Sequence, residues 1–313
     1  MTNNSIVPNE INLLKSLCEV SSPSGSEYLM KEFLLKYLEE NQHNFKTKPV
    51  IINNQHTQDG MLWIFGDKPT TAIFAHQDII GFTVRYDNKL VPIGTPSAEL
   101  GYELVSVSDK PVHTKLVTMD DDYLSIDLNY SLAPGTELIF APHFQVDGDW
   151  VTSPYLDNRM GIYNALRVAE TLENGIIAFT CYEEHRGGNV ASLARIIFEQ
   201  YGVSQALISD ITWHTEGVFA GNGPAISLRD SYIPRKLFLN KVIQLAAESG
   251  IPYQLEVEGS GGSDGSELQR SPYPFDWCFI GVPIKEAHSP KETLHIDDLE
   301  KLVALYSYLM KKL

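Results

Sequence analysis

The sequence predicts an α/β protein: a mixed, largely parallel sheet flanked by helices, with a small all-β domain inserted into it. Three observations carry that expectation. Several short, wholly apolar runs stop abruptly at ionisable residues, as strands buried on both faces do. Between most of them lie stretches with helical spacing. From about residue 82 to about residue 150 the helical period disappears, and short alternating runs separated by turn clusters replace it.

Taken in order, residues 10–40 read as helix, with Leu13, Leu14 and Leu17 and then Leu29, Phe33, Leu34 and Tyr37 at helical spacing. The Ser21-Ser22-Pro23-Ser24-Gly25-Ser26 break divides them into two helices. Strand signals follow at Val50-Ile51-Ile52 and Met61-Leu62-Trp63-Ile64-Phe65, and then at Ala72-Ile73-Phe74-Ala75, which ends at His76. The β insertion carries alternating runs such as Leu124 to Leu128 and Thr136 to Phe140, with turns at Ser108 to Pro111, Asp120-Asp121-Asp122 and Ala133 to Gly135. Alternation of strand and helix resumes after Asp157. A helix is expected over 160–172, a strand from Gly175 to the Glu183-Glu184 pair, a helix over 190–200 and a strand ending at Asp210. A turn at Gly221-Asn222-Gly223-Pro224, a helix over 235–249, a short strand over 253–257, a last strand at Cys278 to Val282 and a helix over 297–311 complete the chain.

The catalytic domain is therefore expected to be discontinuous, residues 1–81 plus 151–313, closed around an insertion at 82–150. A 313-residue chain with 43% hydrophobic residues has enough apolar content for one large core and a second small one. A net charge of -16 argues against a nucleic-acid backbone or an anionic membrane as partner. The first residues lack the basic and apolar regions of a signal peptide, and no apolar stretch is long enough to span a bilayer. The three widely spread cysteines, Cys18, Cys181 and Cys278, do not suggest a disulfide framework. A cytoplasmic protein is expected, with Cys181 and Cys278 as small buried hydrophobes.

Ligands of open α/β sheets bind outside the carboxyl ends of the strands. His76, Glu184 with its neighbour Glu183, Asp210 and His288 all fall at or just after such ends, and Asp157 precedes a helix. Two imidazoles and three carboxylates exceed a single tetrahedral zinc site and suit two divalent ions sharing a bridging carboxylate. Without metal, clustered carboxylates would repel one another in a partly desolvated cleft. Of the adjacent glutamates, one is expected to bind metal while the other meets the water beside it. Asp78, two residues beyond His76, points the same way on an extended segment and is expected to accept the other ring N–H of His76.

Each of these residues has an ordinary role when taken alone, as a cap, a turn former or a satisfied core group, so their joint placement carries the argument. His185, His214 and His295 read as solvent or core histidines. The glycine-rich stretch Gly259 to Glu267 lacks the Gly-Lys-Ser/Thr ending of a phosphate loop. It reads as a loop feeding a helix, with Asp264 and Glu267 at capping-box spacing, or as a wall of a substrate cleft.

Together, Ala75-His76-Gln77-Asp78-Ile79-Ile80-Gly81-Phe82, Leu156 to Gly161, Glu183-Glu184, Ser209-Asp210, Gly261 to Asp264 and Ala287-His288-Ser289-Pro290-Lys291-Glu292 resemble, in order, the motifs of the glutamyl aminopeptidase family of dinuclear metallopeptidases, which includes the tetrahedral aminopeptidases. The resemblance runs along nearly the whole chain and implies a zinc-peptidase-like fold. It implies that His76 and Asp210 hold one metal, that Glu184 and His288 hold the other, and that Asp157 bridges them. Glu183 would be the general base and Asp78 would orient His76. The implied metals are two divalent ions per chain, zinc, cobalt or manganese, and the insertion would be a dimerisation domain that builds a homo-oligomer.

Two places depart from the family pattern: Ile79, where a glutamate is common, and His185-Arg186-Gly187-Gly188-Asn189 after the glutamate pair. None of the five ligand types is lost. The function expected is a metal-dependent aminopeptidase acting on short peptides with a free N-terminus. A carboxypeptidase or N-acyl amino acid deacylase on a similar metal core is the enzymatic alternative. A metal-stabilised scaffold is the non-enzymatic one, and it would need ligands but no base at Glu183.

Overall fold

The computed structural model describes residues 9–119 and 123–313. The N-terminal residues and the turn expected at Asp120-Asp121-Asp122 lie outside the described residues. The chain opens with helices α1 (Asn9–Cys18) and α2 (Tyr28–Asn41), separated at the expected serine-rich break. Strands β1 (Val50–Ile52), β2 (Met61–Phe65) and β3 (Ala72–His76) follow. Six strands come next: β4 (Gly81–Val84), β5 (Leu90–Ile93), β6 (Glu103–Ser106), β7 (His113–Thr118), β8 (Leu124–Ile126) and β9 (Glu137–Phe140). After β10 (Gln145–Asp147) and β11 (Trp150–Thr152), elements alternate through α3 (Leu156–Ala169), β12 (Gly175–Thr180), α4 (Val190–Tyr201) and β13 (Gln205–Trp213). The remainder is β14 (Ala225–Ser227), α5 (Lys236–Ser249), β15 (Gln254–Glu256), α6 (Asp264–Arg270), β16 (Asp276–Lys285), β17 (Thr293–His295) and α7 (Ile296–Lys312). No helix among the described residues is long and apolar enough to cross a membrane.

Among the described residues the large sheet has eleven strands and is mixed, as expected, with a parallel centre in the order β12-β3-β13-β16. Its central strands carry wholly apolar runs, such as all of β2, Ala72–Ala75 of β3 and Gly175–Phe179 of β12, because both faces are covered. Met61, Trp63, Phe65, Ile73, Ile177, Phe179, Leu207, Cys278 and Ile280 pack on one face with α1, α2, α3, α5 and α7. Their alternates Leu62, Ile64, Ala72, Phe74, Ile176, Ala178, Ala206, Ile208, Trp277 and Phe279 pack on the other with α4 and α6. Period-two alternation between two apolar layers leaves no polar position to mark it. Each Leu, Ile, Phe or Met among them contributes roughly 1.5–3 kcal/mol on full burial. In α4, Val190, Leu193, Ala194 and Ile197 keep the one-face spacing of a helix laid on a sheet, and Gly202 closes it with φ 68°.

The six strands β4–β9 form a separate antiparallel sheet in the order β5-β4-β9-β6-β7-β8, around its own core of Phe82, Leu104, Leu116, Leu138 and Phe140. This sheet runs from Gly81 to Phe140, against the insertion expected over 82–150. β10 and the first residue of β11, Trp150, fall before residue 151 and nevertheless belong to the large sheet, where β11 lies against β17. The strands β10, β11, β14 and β17 are not expected from the sequence: each has three residues, too few to show a period, and none lies in a wholly apolar run or a longer alternating run of the kind that marks the equally short β1 and β8.

Candidate metal centre

The centre forms where the four parallel strands run out, and their register brings its residues level. In the β3–β12 ladder His76 pairs with Thr180, while Phe74 pairs with Ile208 of β13, so Asp210 lies two residues further along beside His76. Asp210 stands inside β13, which continues to Trp213, rather than at the strand end expected for it. Asp157 enters from the first turn of α3, which packs against β13 at Gly161, where a Cβ would overlap the Ser209 carbonyl. His288 lies in the turn after β16 with φ 60°.

The glutamate pair requires a correction. The strand expected to run to Glu184 stops at Thr180, and Glu183–His185 form a single tight helical turn between Tyr182 (φ 66°) and Arg186 (φ 78°). The two carboxylates therefore diverge because of a turn, not because neighbouring strand residues face opposite ways. The apolar run gave no local sign of the break, where carboxylates from distant segments accept the turn's amides.

All six sequence-predicted groups other than Asp78 converge on one point. His76 Nε2 lies 3.2 Å from Asp157 Oδ1 and 3.5 Å from Asp210 Oδ1. His288 Nε2 lies 3.3 Å from the other oxygen of Asp157 and 3.4 Å from Glu184 Oε2. Two overlapping donor sets result, His76/Asp157/Asp210 and Asp157/Glu184/His288, the ligand atoms of each within 4.8 Å of one another. Glu183 Oε2 stands 3.8 Å from His76 Nε2, with 18% of its side chain exposed against 4% for Glu184, so the carboxylate outside both sets is the one open to water.

A second layer holds these groups. Asp78 Oδ1 and Oδ2 accept the amides of Glu183 and Glu184 at 3.1 and 3.0 Å, and Ser24 Oγ donates to Oδ2 at 2.6 Å. Its approach to His76 Nδ1, 3.4 Å, is electrostatic rather than a formed hydrogen bond. Sequence reasoning left four further residues without a role. Glu292 accepts the amides of both Asp157 (3.1 Å) and His288 (2.8 Å), tying two ligands to one carboxylate. Ser263 Oγ donates to Asp210 Oδ2 at 2.5 Å, and Thr180 Oγ1 donates to Asp264 at 2.6 Å. Thr95, from the loop after β5, places its carbonyl 3.2 Å and its hydroxyl 2.8 Å from His288 Nδ1. A carbonyl only accepts, so a proton on Nδ1 satisfies it and leaves Nε2 free to face Asp157 and Glu184.

The electrostatics test whether a cation fits. Burial, with Asp210 and Glu184 adding to it against the opposing pull of His76, drives the Glu183 carboxyl well above its usual range. Burial and Asp157 do the same to Glu184. Asp264 is pushed up to about 7 by burial and Glu292 to about 8 by burial and Asp157. Burial opposes protonation of His288, yet Asp157 and Glu184 raise it to about 10. Seven carboxylates, Asp78 included, thus cluster around two imidazoles with little access to water, and Glu184 Oε1 is buried without a hydrogen-bond partner. A site so rich in negative charge and oxygen donors fits divalent cations, which would offset what the imidazoles cannot.

A cavity of about 260 Å³ opens beside the donors and is walled by Thr212, Trp213, Ser260, Gly261, Gly262 and Phe279 among others. The glycine-rich stretch is thus a cleft wall that also feeds α6. Its expected capping box does not form: Ser263 is the N-cap, with no side-chain cap hydrogen bond, and Glu267 pairs with Arg270. His185, His214 and His295 join neither donor set; His185 Nδ1 instead accepts the Gly94 amide at 3.0 Å. The three cysteines are buried and free.

A sequence model of the M42 glutamyl aminopeptidase family matches residues 110–305. A protein of Acetivibrio thermocellus with a provisional aminopeptidase description is 30% identical over 168 residues, 51% of each chain, so the match spans about half the relative's length. Among solved structures, the aminopeptidase APDkam598 of the archaeon Desulfurococcus kamchatkensis superposes with a TM-score of 0.84 at 21% identity, covering 97% of this chain and 95% of that one. The TET1 peptidase of Pyrococcus horikoshii, described as able to assemble into a tetrahedron or a large octahedral shell, superposes with a TM-score of 0.79 at 24% identity over 96% and 98%.

Proposed function

The chain belongs to the M42 glutamyl aminopeptidase family, and from that premise we propose that it is a metal-dependent aminopeptidase that removes N-terminal residues from short peptides. The observation that carries the reading is Asp157, whose two oxygens face two different histidines beside a glutamate that belongs to neither donor set. In this reading His76 and Asp210 hold one divalent ion, Glu184 and His288 a second, and Asp157 both; zinc, cobalt or manganese suits such donors. Bound ions supply Lewis-acid activation of the scissile carbonyl and of water.

The protein's own groups do the rest. Glu183 takes a proton from the attacking water as its oxygen bonds to the carbonyl carbon. It then delivers that proton to the leaving nitrogen as the carbon–nitrogen bond breaks. Asp78 and Glu292 hold the backbone of the base and ligands, and Asp78 acts as an electrostatic partner that orients His76. The acidic pocket favours a substrate with an ammonium end. Self-association through the β4–β9 sheet, the family's dimerisation domain by resemblance, is part of the proposal.

The test is a panel of aminoacyl chromogenic substrates with metal-free protein reloaded with zinc, cobalt or manganese. Metal-dependent release is expected, and a peptide blocked by N-acetylation should resist cleavage while its unblocked version is shortened from the front. Efficient removal of C-terminal residues, or release of acetate, would move the assignment to a carboxypeptidase or a deacylase. Metal binding without hydrolysis of any substrate would leave a scaffold.

A further inference from the structure

The base and one ligand sit on a turn whose backbone is unfavourable. Tyr182 and Arg186 flank it with φ of 66° and 78°, the left-handed region, which costs a residue with a side chain roughly 1–2 kcal/mol. Such geometry persists where the surroundings over-determine it. Here three successive amides, Tyr182, Glu183 and Glu184, each donate to a buried carboxylate. Asp78 takes two of them, and the third, from Tyr182, goes to Glu27 Oε1 at 3.0 Å.

Glu27 belongs to neither donor set and to none of the motifs that carry the family resemblance. It is fully buried just before α2, yet its side chain makes no cap hydrogen bond to that helix. Its second oxygen is buried without a partner. Burying a carboxylate this way is costly, and capping α2 does not account for it. The loop just before it is anchored twice: Ser24 Oγ donates to Asp78, and Ser26 Oγ donates to Glu137 of β9 at 2.8 Å.

We propose that Glu27 is a positioning residue for the reaction, its Oε1 accepting the Tyr182 amide and so holding the left-handed residue that aims Glu183 and Glu184 into the site. The proposal deepens the aminopeptidase reading and rests on it for its kinetic consequence. Loss of the acceptor lets the turn relax towards ordinary φ, and Glu183 leaves its place against the substrate. A misplacement near 1 Å is enough to cost about 10²-fold in rate.

The test compares Glu27→Gln, which keeps an acceptor oxygen, with Glu27→Ala, which removes it, both in metal-reloaded full-length protein. Glu27→Ala should lose about 10- to 100-fold in kcat, with KM within about threefold and bound metal unchanged, whereas Glu27→Gln should stay within about threefold of the parent. Hydrogen–deuterium exchange supplies the second readout: the segment containing Tyr182 to Glu184 should exchange faster in Glu27→Ala alone, and the rest of the chain should be unaffected. A folded Glu27→Ala protein with parental kcat and parental exchange overturns the proposal. So does a Glu27→Gln protein that loses more than about tenfold in kcat, a result that decides the matter even where the alanine variant does not fold. A parent protein that cleaves no aminoacyl substrate refutes the aminopeptidase reading instead, and the exchange comparison still decides the role of Glu27.

Discussion

The carboxyl edge of the parallel sheet and the inserted antiparallel sheet bury different things. At the edge the chain takes His76, Asp78, Asp157, Asp210, Asp264 and Glu292 out of water, a placement that costs free energy unless each charge finds a partner. The inserted sheet buries Phe82, Leu104, Leu116, Leu138 and Phe140, and among the described residues its contribution to the centre is one loop, through Thr95 and the Ser97 amide that donates to the His288 carbonyl at 2.8 Å. The contrast teaches where stability is given up for chemistry. The edge, where buried charges gather, is the candidate site, while the inserted sheet buries an apolar core.

The comparison is broken most severely at the base. Glu183→Gln should keep fold and metal content, since an amide of similar shape replaces the carboxylate, yet turnover should fall by about 10²- to 10⁴-fold. Turnover and bound metal measured together at saturating metal decide it, and a variant retaining more than about a tenth of parental turnover would place the base elsewhere. Next comes the shared ligand. Metal titration of the parent should saturate at two divalent ions per chain. Asp157→Asn should weaken both sites by more than the roughly 10- to 100-fold typical of outer-shell changes, with partial recovery in excess metal. Saturation of the parent at one ion would reject the paired site.

The smallest effect on turnover is expected from the inserted sheet, although its effect on stability is large. Leu116, fully buried in β7, should cost about 2–5 kcal/mol on change to alanine. The thermal midpoint should drop while kcat per folded molecule stays within about twofold. Loss of kcat in a Leu116→Ala protein that remains folded would show that the two regions are energetically one, and the contrast would fail.

Much of this protein is legible without coordinates. Apolar runs such as Gly175–Thr180 and Ala72–His76 are buried along their whole length, so their composition announces central strands. The spacing in α4, α5 and α7 announces helices because one face of each must be apolar. His76, Glu184, Asp210 and His288 are legible for a related reason, since an ionisable group at or just beyond an apolar run has only the sheet edge to occupy. What the sequence by itself determined was therefore the central strands, the main helices and the candidate donors.

Only the tertiary structure decided how the donors face one another. The turn that separates Glu183 from Glu184 is set by Asp78 and Glu27, which lie 105 and 155 residues away from the amides they accept. Glu292 reaches 135 residues back to the Asp157 amide, and Thr95 crosses 193 residues to His288. Hydrogen bonds of that span leave no period and no local composition to read, because the partner's identity matters only once the chain has closed. Four of the short strands, β10, β11, β14 and β17, are hidden for the same reason: their ladders are formed with neighbours distant in sequence or through pairs too few to repeat a pattern.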